Sequence, residues 1–130
     1  MYVTHVDEVE EFEVKAPNTR GMRVKYLLHA GMGSKKVQLR LFTIEPGGGH
    51  VEDDVHQHEH QIYVLEGEGY VLAGGRVERV RPGSVVFIPS MEPHRIVNDG
   101  DKPLKILCIK LTSEIPPPLR ERLKGGVGGG

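Results

Sequence analysis

The sequence feature that most constrains this chain is a cluster of histidines and carboxylates near its centre. His50, His56, His58 and His60 fall within residues 50–60, together with four acidic side chains, and the cluster runs directly into the apolar segment 62–65. An ordinary β-rich domain has no folding reason to crowd imidazoles in this way. A divalent metal ion, in contrast, requires imidazole and carboxylate ligands on a rigid support. The cluster therefore predicts a metal site supported by a strand.

Short apolar segments separated by glycine and proline predict an all-β fold around this site. Residues 37–44 alternate in a strand pattern that the Pro-Gly-Gly-Gly segment 46–49 is predicted to break. Further strands are predicted over residues 22–29, 70–73, 76–80, 84–88, 94–98 and 104–111. No helix of normal length and no internal repeat is visible. Strands spaced about ten residues apart indicate a barrel or a sandwich.

The 130 residues are enough for one domain with a proper core. We predict an N-terminal arm with one short strand over residues 1–20, a barrel over 21–115 and a flexible Pro/Gly-rich tail over 116–130. Within the tail, residues 119–124 are predicted to form one or two helical turns, and the glycine-rich residues 125–130 are predicted to be disordered.

Charge and cysteine content exclude several classes of function. A net charge of -1 and a pI near 6.7 argue against nucleic acid or an anionic membrane as the main partner. Neither an apolar run of membrane-spanning length nor a signal-peptide pattern at Met1 is seen, so we expect a cytoplasmic protein. Cys108 is the sole cysteine, which excludes a thiolate zinc cluster, and its apolar neighbours predict a buried, inert thiol.

The last predicted strand, residues 104–111, is apolar on both faces apart from Lys105 and Lys110. A strand without a polar face is usually covered on both sides. We therefore expect the interior of the barrel on one side of this strand and a second subunit on the other, in a homodimer.

Two separated motifs resemble those of the cupin family. The first family motif is G-x5-H-x-H-x3/4-E-x6-G, and the second is G-x5-P-x-G-x2-H-x3-N. The corresponding positions in this chain are Gly48, Asp54, His56, His60 and Gly67, followed by Gly83, Pro89, Met91, His94 and Asn98. The resemblance covers residues 37–111, with both motifs in order. It implies a small single-domain cupin, with the double-stranded jelly-roll barrel of that family.

The departures from the motifs carry information about the site. Asp54 stands where the family has its first histidine, and His60 stands where it has glutamate. Small manganese-binding cupins with an all-histidine site are the most similar in this respect, since they also have histidine at the third ligand position. Met91 replaces a loop glycine, which costs little if that turn is not left-handed.

The resemblance implies one divalent transition-metal ion per chain, with manganese or iron favoured over zinc, nickel or cobalt. The implied ligands are Asp54, His56, His60 and His94. Positions 54, 56 and 60 also share strand parity, so an extended chain would direct them to one face, while His94 must come from a strand across the barrel.

Alternatives at this site remain open on the sequence alone. His58 has the same parity as the implied ligands and is their main rival, with lining of the pocket as its other role. Asp54 could be a loop acid beside a three-histidine site. His50 is either a group that supports a ligand or a solvated loop residue, and we favour the latter. Glu59 and Gln61 either hydrogen-bond to the ligating imidazoles or are simply exposed.

The resemblance implies a metal-dependent enzyme acting on a small organic molecule, with an iron or manganese oxygenase as the first hypothesis. Phe42, Tyr63, Phe87 and Ile96 are the candidate side chains that shape the interior. The second hypothesis is a non-catalytic binding or sensor module for a small ligand or the metal, because cupins serve both roles. A degenerate cupin with a vestigial metal site is a third hypothesis, which the dense cluster of imidazoles disfavours.

Overall fold

The computed structural model describes residues 1–128, with side chains through residue 123. In this part of the chain, nine strands precede a single α-helix. The strands are β1 (Glu11–Glu13), β2 (Thr19–Leu28), β3 (Val37–His50), β4 (His60–Glu66), β5 (Gly69–Ala73), β6 (Arg76–Val80), β7 (Val85–Ile88), β8 (His94–Val97) and β9 (Leu104–Leu111). The helix, α1, covers Pro117–Gly128. The all-β prediction is confirmed.

All strand pairs are antiparallel, and together they form one curled sheet. Its strands are ordered β6-β5-β8-β3-β9-β4-β7, and β2 also pairs with β3 and carries β1 on its other edge. The long strand β3 joins the two halves, since residues 37–44 pair with β9 while Gly49 pairs with Val97 of β8. The two predicted motif regions are direct neighbours, since β4 of the first pairs with β7 of the second and the end of β3 pairs with β8.

The prediction that β3 ends at Pro46 is wrong. The strand continues to His50, but its register against β2 slips, because Met22 pairs with Ile44 and Arg20 pairs with Gly49. The extra residues of β3 form a wide bulge in which Gly49 adopts a φ of +124°. A Cβ on Gly49 would lie 2.2 Å from the carbonyl oxygen of Ile96, so only glycine allows β3 and β8 to approach this closely.

The interior of the sheet is filled by alternate side chains of the strands. The buried core residues are Met22, Ile44, Ile62, Val64, Val71, Val80, Ile88, Ile96, Leu104, Ile106 and Cys108. Tyr63 and Phe87, which we predicted to shape the interior, instead lie on the outer face with exposed fractions of 48% and 57%. The reason is parity, since Ile62 and Val64 on either side of Tyr63 both face inward.

Helix α1 is longer than the one or two turns predicted for residues 119–124. Proline is tolerated in the first helical turn, where its missing N–H would have no partner, so the proline run begins the helix. Arg122 fixes the helix to the N-terminal arm, with hydrogen bonds of 2.6 and 2.9 Å to the carboxylate of Glu10 and a stacking distance of 5.6 Å to the ring of Phe12. The helix extends through Gly128, where we predicted disorder; the rest of that prediction, on residues 129–130, lies outside the described residues.

Among the described residues, no helix combines the length and the apolar character needed to cross a membrane.

Candidate metal centre

The four predicted ligands come from three places in the fold. His60 is the first residue of β4 and His94 the first residue of β8, whereas Asp54 and His56 lie in the loop between β3 and β4. This loop is not the extended segment that the parity argument assumed. Backbone hydrogen bonds position it instead: the amides of Asp54 and His94 each donate to the other's carbonyl, at 2.9 and 3.1 Å, and the amide of Met91 donates to the carbonyl of His56 at 2.8 Å.

The four side chains converge on one point. One ligand atom from each of Asp54, His56, His60 and His94 lies within 4.8 Å of all the others. The Nε2 atoms of His56 and His60 are 2.9 Å apart, and Asp54 Oδ2 lies 3.5 Å from His56 Nε2 and 3.8 Å from His94 Nε2. Two nitrogens bound side by side at about 2.1 Å from a metal are separated by about 3 Å, so the spacing suits a shared cation.

The tautomers of His56 and His94 direct lone pairs into this cluster. His56 Nδ1 is 2.7 Å from the carbonyl oxygen of His58, and His94 Nδ1 is 2.9 Å from that of Glu92. A carbonyl oxygen can only accept, so both Nδ1 atoms carry the proton and both Nε2 atoms have the lone pair. His94 Nε2 is fully buried without a hydrogen-bond partner among the described residues. A buried acceptor without a donor is costly, and a metal ion would satisfy it.

A histidine binds a metal ion as the neutral imidazole, and the surroundings of His56, His58 and His60 favour that form. Burial, with smaller contributions from His56 and His94, lowers the pKa of His60 to about 2. Burial and the neighbouring His56 lower the pKa of His58 to about 4, and burial also lowers the pKa of His56. The positive charge of Arg40 adds to the lowering of all three pKa values.

His50 is not the solvated loop residue that we favoured from the sequence. Its side chain is only 8% exposed, and its Nδ1 accepts a hydrogen bond of 3.0 Å from the backbone amide of Ile96. The proton of the neutral ring therefore lies on Nε2, which faces Asp54 Oδ2 at 3.5 Å. Asn18 Nδ2 donates to Asp54 Oδ1 at 3.3 Å. Two donors thus orient the carboxylate of Asp54 toward the histidines. This arrangement favours Asp54 as a ligand over the alternative of an acidic loop residue beside a three-histidine site.

His58 lines the pocket beside the cluster. Its ring stacks on that of His56, with centroids 3.7 Å apart and planes within 1° of parallel, and its backbone carbonyl orients the same ring. The side chains of Glu59 and Gln61 are exposed, and Gln61 lies on the outer face of the sheet. Neither is placed to orient an imidazole in the part of the chain that the structure describes.

Sequence reasoning missed a buried pair behind His60. Cys108 is buried as predicted, and burial raises its pKa, but its Sγ also lies 3.0 Å from His60 Nδ1. Arg40 Nη2 donates to the same sulfur at 3.3 Å, since Arg40 and Cys108 are paired across β3 and β9. The signal in the sequence was the parity of β3, which places Arg40 on the same face as Phe42 and Ile44.

The cluster opens into a pocket of about 690 Å³. Its walls include Phe42 and Ile96, as predicted. Side chains of β1 and the start of α1 also line it, among them the exposed Glu11, Glu13 and Glu121. A small organic molecule therefore has room next to the four converging side chains.

Comparison with known families and proteins gives a consistent pattern. The sequence model of the cupin domain family, Cupin_2, matches residues 40–110, which include both motifs. The chain is 34% identical over 82 residues to 1-methylthio-D-xylulose 5-phosphate methylsulfurylase of Rhodospirillum rubrum, a match covering 63% of this chain. The matched part is about half, 52%, of the length of that relative.

Solved structures share the fold over most of the chain. The polyketide cyclase RemF from Streptomyces resistomycificus superposes with a TM-score of 0.80 at 31% identity, covering 90% of this chain and 82% of RemF. A predicted oxalate decarboxylase from Thermotoga maritima has a TM-score of 0.69 at 28% identity, covering 85% of this chain and 99% of its own. The names of these relatives describe different reactions on a shared architecture.

Proposed function

This chain belongs to the cupin domain family, and from that premise we propose that it is a metal-dependent enzyme acting on a small organic molecule. The observation that carries the proposal is the convergence of a carboxylate and three imidazoles on one point inside a pocket, with His94 Nε2 buried and without a partner in the described chain. The proposed ligands of a single divalent ion are Asp54, His56, His60 and His94.

An oxygenase is the reaction class that we propose for this site. Asp54, His56, His60 and His94 would hold an iron or manganese ion, which would supply Lewis acidity and one-electron chemistry to a small molecule in the pocket. As a ligand, the carboxylate of Asp54 would lower the charge of the site relative to four histidines and would thereby favour higher oxidation states of a bound metal. His50 and Asn18 orient Asp54, while Phe42 and Ile96 form apolar walls of the pocket.

The names of the relatives support an enzyme without selecting the reaction. RemF is described as a polyketide cyclase, and the Rhodospirillum rubrum relative as a methylsulfurylase that takes a sugar phosphate derivative. Since a fold hosts many chemistries, the reaction must be tested on this chain's own site.

Metal analysis of protein purified without chelator tests the first part of the proposal. We expect one transition-metal ion per chain in the wild type and in the His5→Ala variant, which removes an exposed histidine far from the motifs. We expect loss of that ion in His94→Ala and His56→Ala. Metal-free wild-type protein, or full retention of metal in both ligand variants, would refute the site. Retention in Asp54→Ala alone would indicate a three-histidine site.

Oxygen consumption tests the reaction class. Iron- and manganese-loaded protein would be assayed with a panel of diketones, phenols and thiols, with His94→Ala as the inactive control. Turnover that is lost in His94→Ala supports an oxygenase. Stoichiometric metal without turnover across the panel would instead favour a binding or sensor module.

A further inference from the structure

A buried arginine in the pocket of the proposed metal centre has no carboxylate partner among the described residues. Arg40 lies on β3, is 9% exposed and lines the same pocket as the histidines. Within the described part of the chain, no carboxylate lies within 4.0 Å of its guanidinium. Arginine is seldom buried unless it is paired, because an uncompensated charge loses its hydration.

The contacts that Arg40 does make supply no counter-charge. Its Nη2 donates to the thiol of Cys108 at 3.3 Å, and its Cζ lies 5.0 Å from the centre of the Phe42 ring. Its Nε is shielded from solvent and has no acceptor among the described residues. The guanidinium thus has donor capacity left inside the pocket that no described residue uses.

Arg40 is also close to the proposed metal ligands. The sulfur of Cys108 connects the two, since Sγ lies 3.3 Å from Arg40 Nη2 and 3.0 Å from His60 Nδ1. Arg40 lines the same pocket as Asp54, His56 and His60, so a molecule in that pocket has access to both the guanidinium and the proposed ligands.

We propose that Arg40 selects the substrate, and that the substrate is a small organic carboxylate whose anionic group pairs with this guanidinium. The proposal rests on the proposed function, since it assigns the substrate class of that same site. The planar guanidinium matches a carboxylate in shape and charge. Apolar walls at Phe42, Ile62 and Ile96 suit the carbon body of such an acid.

The pocket is less suited to a phosphate ester than to a carboxylate. A phosphate dianion needs several cations or amides, whereas the described lining offers Arg40 inside and Lys15 on the N-terminal arm. Exposed Glu11, Glu13 and Glu121 line the same pocket, and their charges repel a dianion more strongly than a monoanion.

Calorimetric titration of the zinc-loaded protein with benzoate and with inorganic phosphate tests this proposal. The variants are Arg40→Met, which removes the charge at similar length, and Arg40→Lys, which retains it without the planar fork. Arg81→Met removes one exposed arginine and is the charge-matched control. We expect benzoate to bind wild type and Arg81→Met equally, at least about tenfold more weakly to Arg40→Met, and with intermediate affinity to Arg40→Lys. Phosphate should bind more weakly than benzoate.

The outcomes separate this proposal from the proposed function. Failure of the wild type to hold one zinc ion per chain refutes the metal site itself. One zinc per chain with no benzoate binding, or with equal binding by Arg40→Met, overturns only the role of Arg40. Tighter binding of phosphate than of benzoate overturns the carboxylate assignment.

A measurement on the wild type covers the case in which Arg40→Met does not fold. The Nε–H resonance of Arg40, assigned by its absence from the spectrum of Arg40→Lys, should shift and saturate with benzoate at the affinity found by calorimetry. A purely structural role in holding Cys108 predicts no such saturable shift, and its absence would overturn the proposal.

Discussion

A backbone hydrogen bond at Nδ1 orients the imidazoles of His50, His56 and His94. Carbonyl oxygens hold the Nδ1–H groups of His56 and His94, which directs the unprotonated Nε2 atoms toward the cluster. His50 has the opposite tautomer, because its Nδ1 accepts from the amide of Ile96. Its Nε2–H therefore faces Asp54, which makes His50 a support of the proposed carboxylate ligand.

The first prediction concerns this support. His50→Ala should weaken metal affinity by about 10–100-fold, the usual cost of removing a group that orients a ligand. Zinc affinity would be measured by competition with a chromogenic chelator, and His5→Ala, at an exposed histidine, is the control. An unchanged affinity in His50→Ala would mean that Asp54 needs no support from His50 or does not bind the metal.

A second prediction follows from the turn that carries Met91. The sequence did not decide whether methionine in place of the family's glycine destabilises this turn. The structure gives Met91 a φ of +65°, in the left-handed region that disfavours residues with a side chain. Met91 is 55% exposed, so its side chain contributes little packing. Met91→Gly should therefore stabilise the protein by about 1 kcal/mol. Urea unfolding measures this, with Met32→Gly, away from that turn, expected to give no gain; a destabilised Met91→Gly would contradict the strain argument.

At the scale of elements, β3 shows why proline and glycine were misread. A Pro-Gly-Gly-Gly segment indicates a break because proline removes a ladder donor and glycine favours turns. Here the glycines serve a bulge that lets β3 resume its pairing and carry His50 into the pocket. The reason lies in the neighbouring strand, since the carbonyl of Ile96 occupies the space of a Cβ at Gly49. Residues distant in sequence therefore decide whether β3 ends at the proline or continues. A local sequence pattern does not include those residues.

Helix α1 and the N-terminal arm provide a third prediction, about pH. The hydrogen bond from Arg122 lowers the pKa of the exposed Glu10 carboxyl below its ordinary 4.5. A lowered pKa in the folded state means that the contact stabilises docking of the helix above about pH 4.5, and that this contribution is lost as pH falls through the lowered value. A carbon-13 NMR titration of Glu10 should give a midpoint below 4.5, returning toward 4.5 in Arg122→Gln.

Arg120→Gln, on the same helix, is the control for this titration and should leave the midpoint of Glu10 lowered. Salt should move the wild-type midpoint upward, because the pair is exposed and therefore screened. A wild-type midpoint already at 4.5 would show that α1 is not held to the arm by this pair.

For the whole molecule, the spacing of the motifs predicted which residues form the candidate site. The sequence patterns failed for residues whose place depends on which face of a strand they occupy or on neighbours distant in sequence. The two motifs located Asp54, His56, His60 and His94, which the structure brings together, because motif separation fixes which strand ends meet. They contained no information on Arg40, which lies outside both motifs and is paired with Cys108 across β3 and β9. Tyr63 and Phe87 were named as candidates for the interior, but strand alternation places them outside.

The outer face that these aromatic residues occupy is an apolar surface formed by Leu39, Tyr63, Val85, Phe87, Leu107 and Ile109. Val85 is 76% exposed and Ile109 is 42% exposed, so this surface is not covered by the described part of the chain. Contiguous apolar side chains in water are typical of protein interfaces. We therefore propose that a second copy of the chain covers this surface, in the homodimer expected from the two apolar faces of β9.

The fourth prediction tests that homodimer. Phe87→Glu places a charge in the middle of the apolar surface, and burying an unpaired carboxylate in an interface costs far more than the lost apolar contact. We expect light scattering to give twice the 14.4 kDa chain mass for the wild type and the chain mass for Phe87→Glu. Val77→Glu, at a 62% exposed position on β6 away from this surface, should remain dimeric. A monomeric wild type would contradict the prediction directly, and a dimeric Phe87→Glu would place the interface elsewhere.

Metal content should be equal in all three proteins, because Phe87 points away from the pocket that holds the proposed ligands.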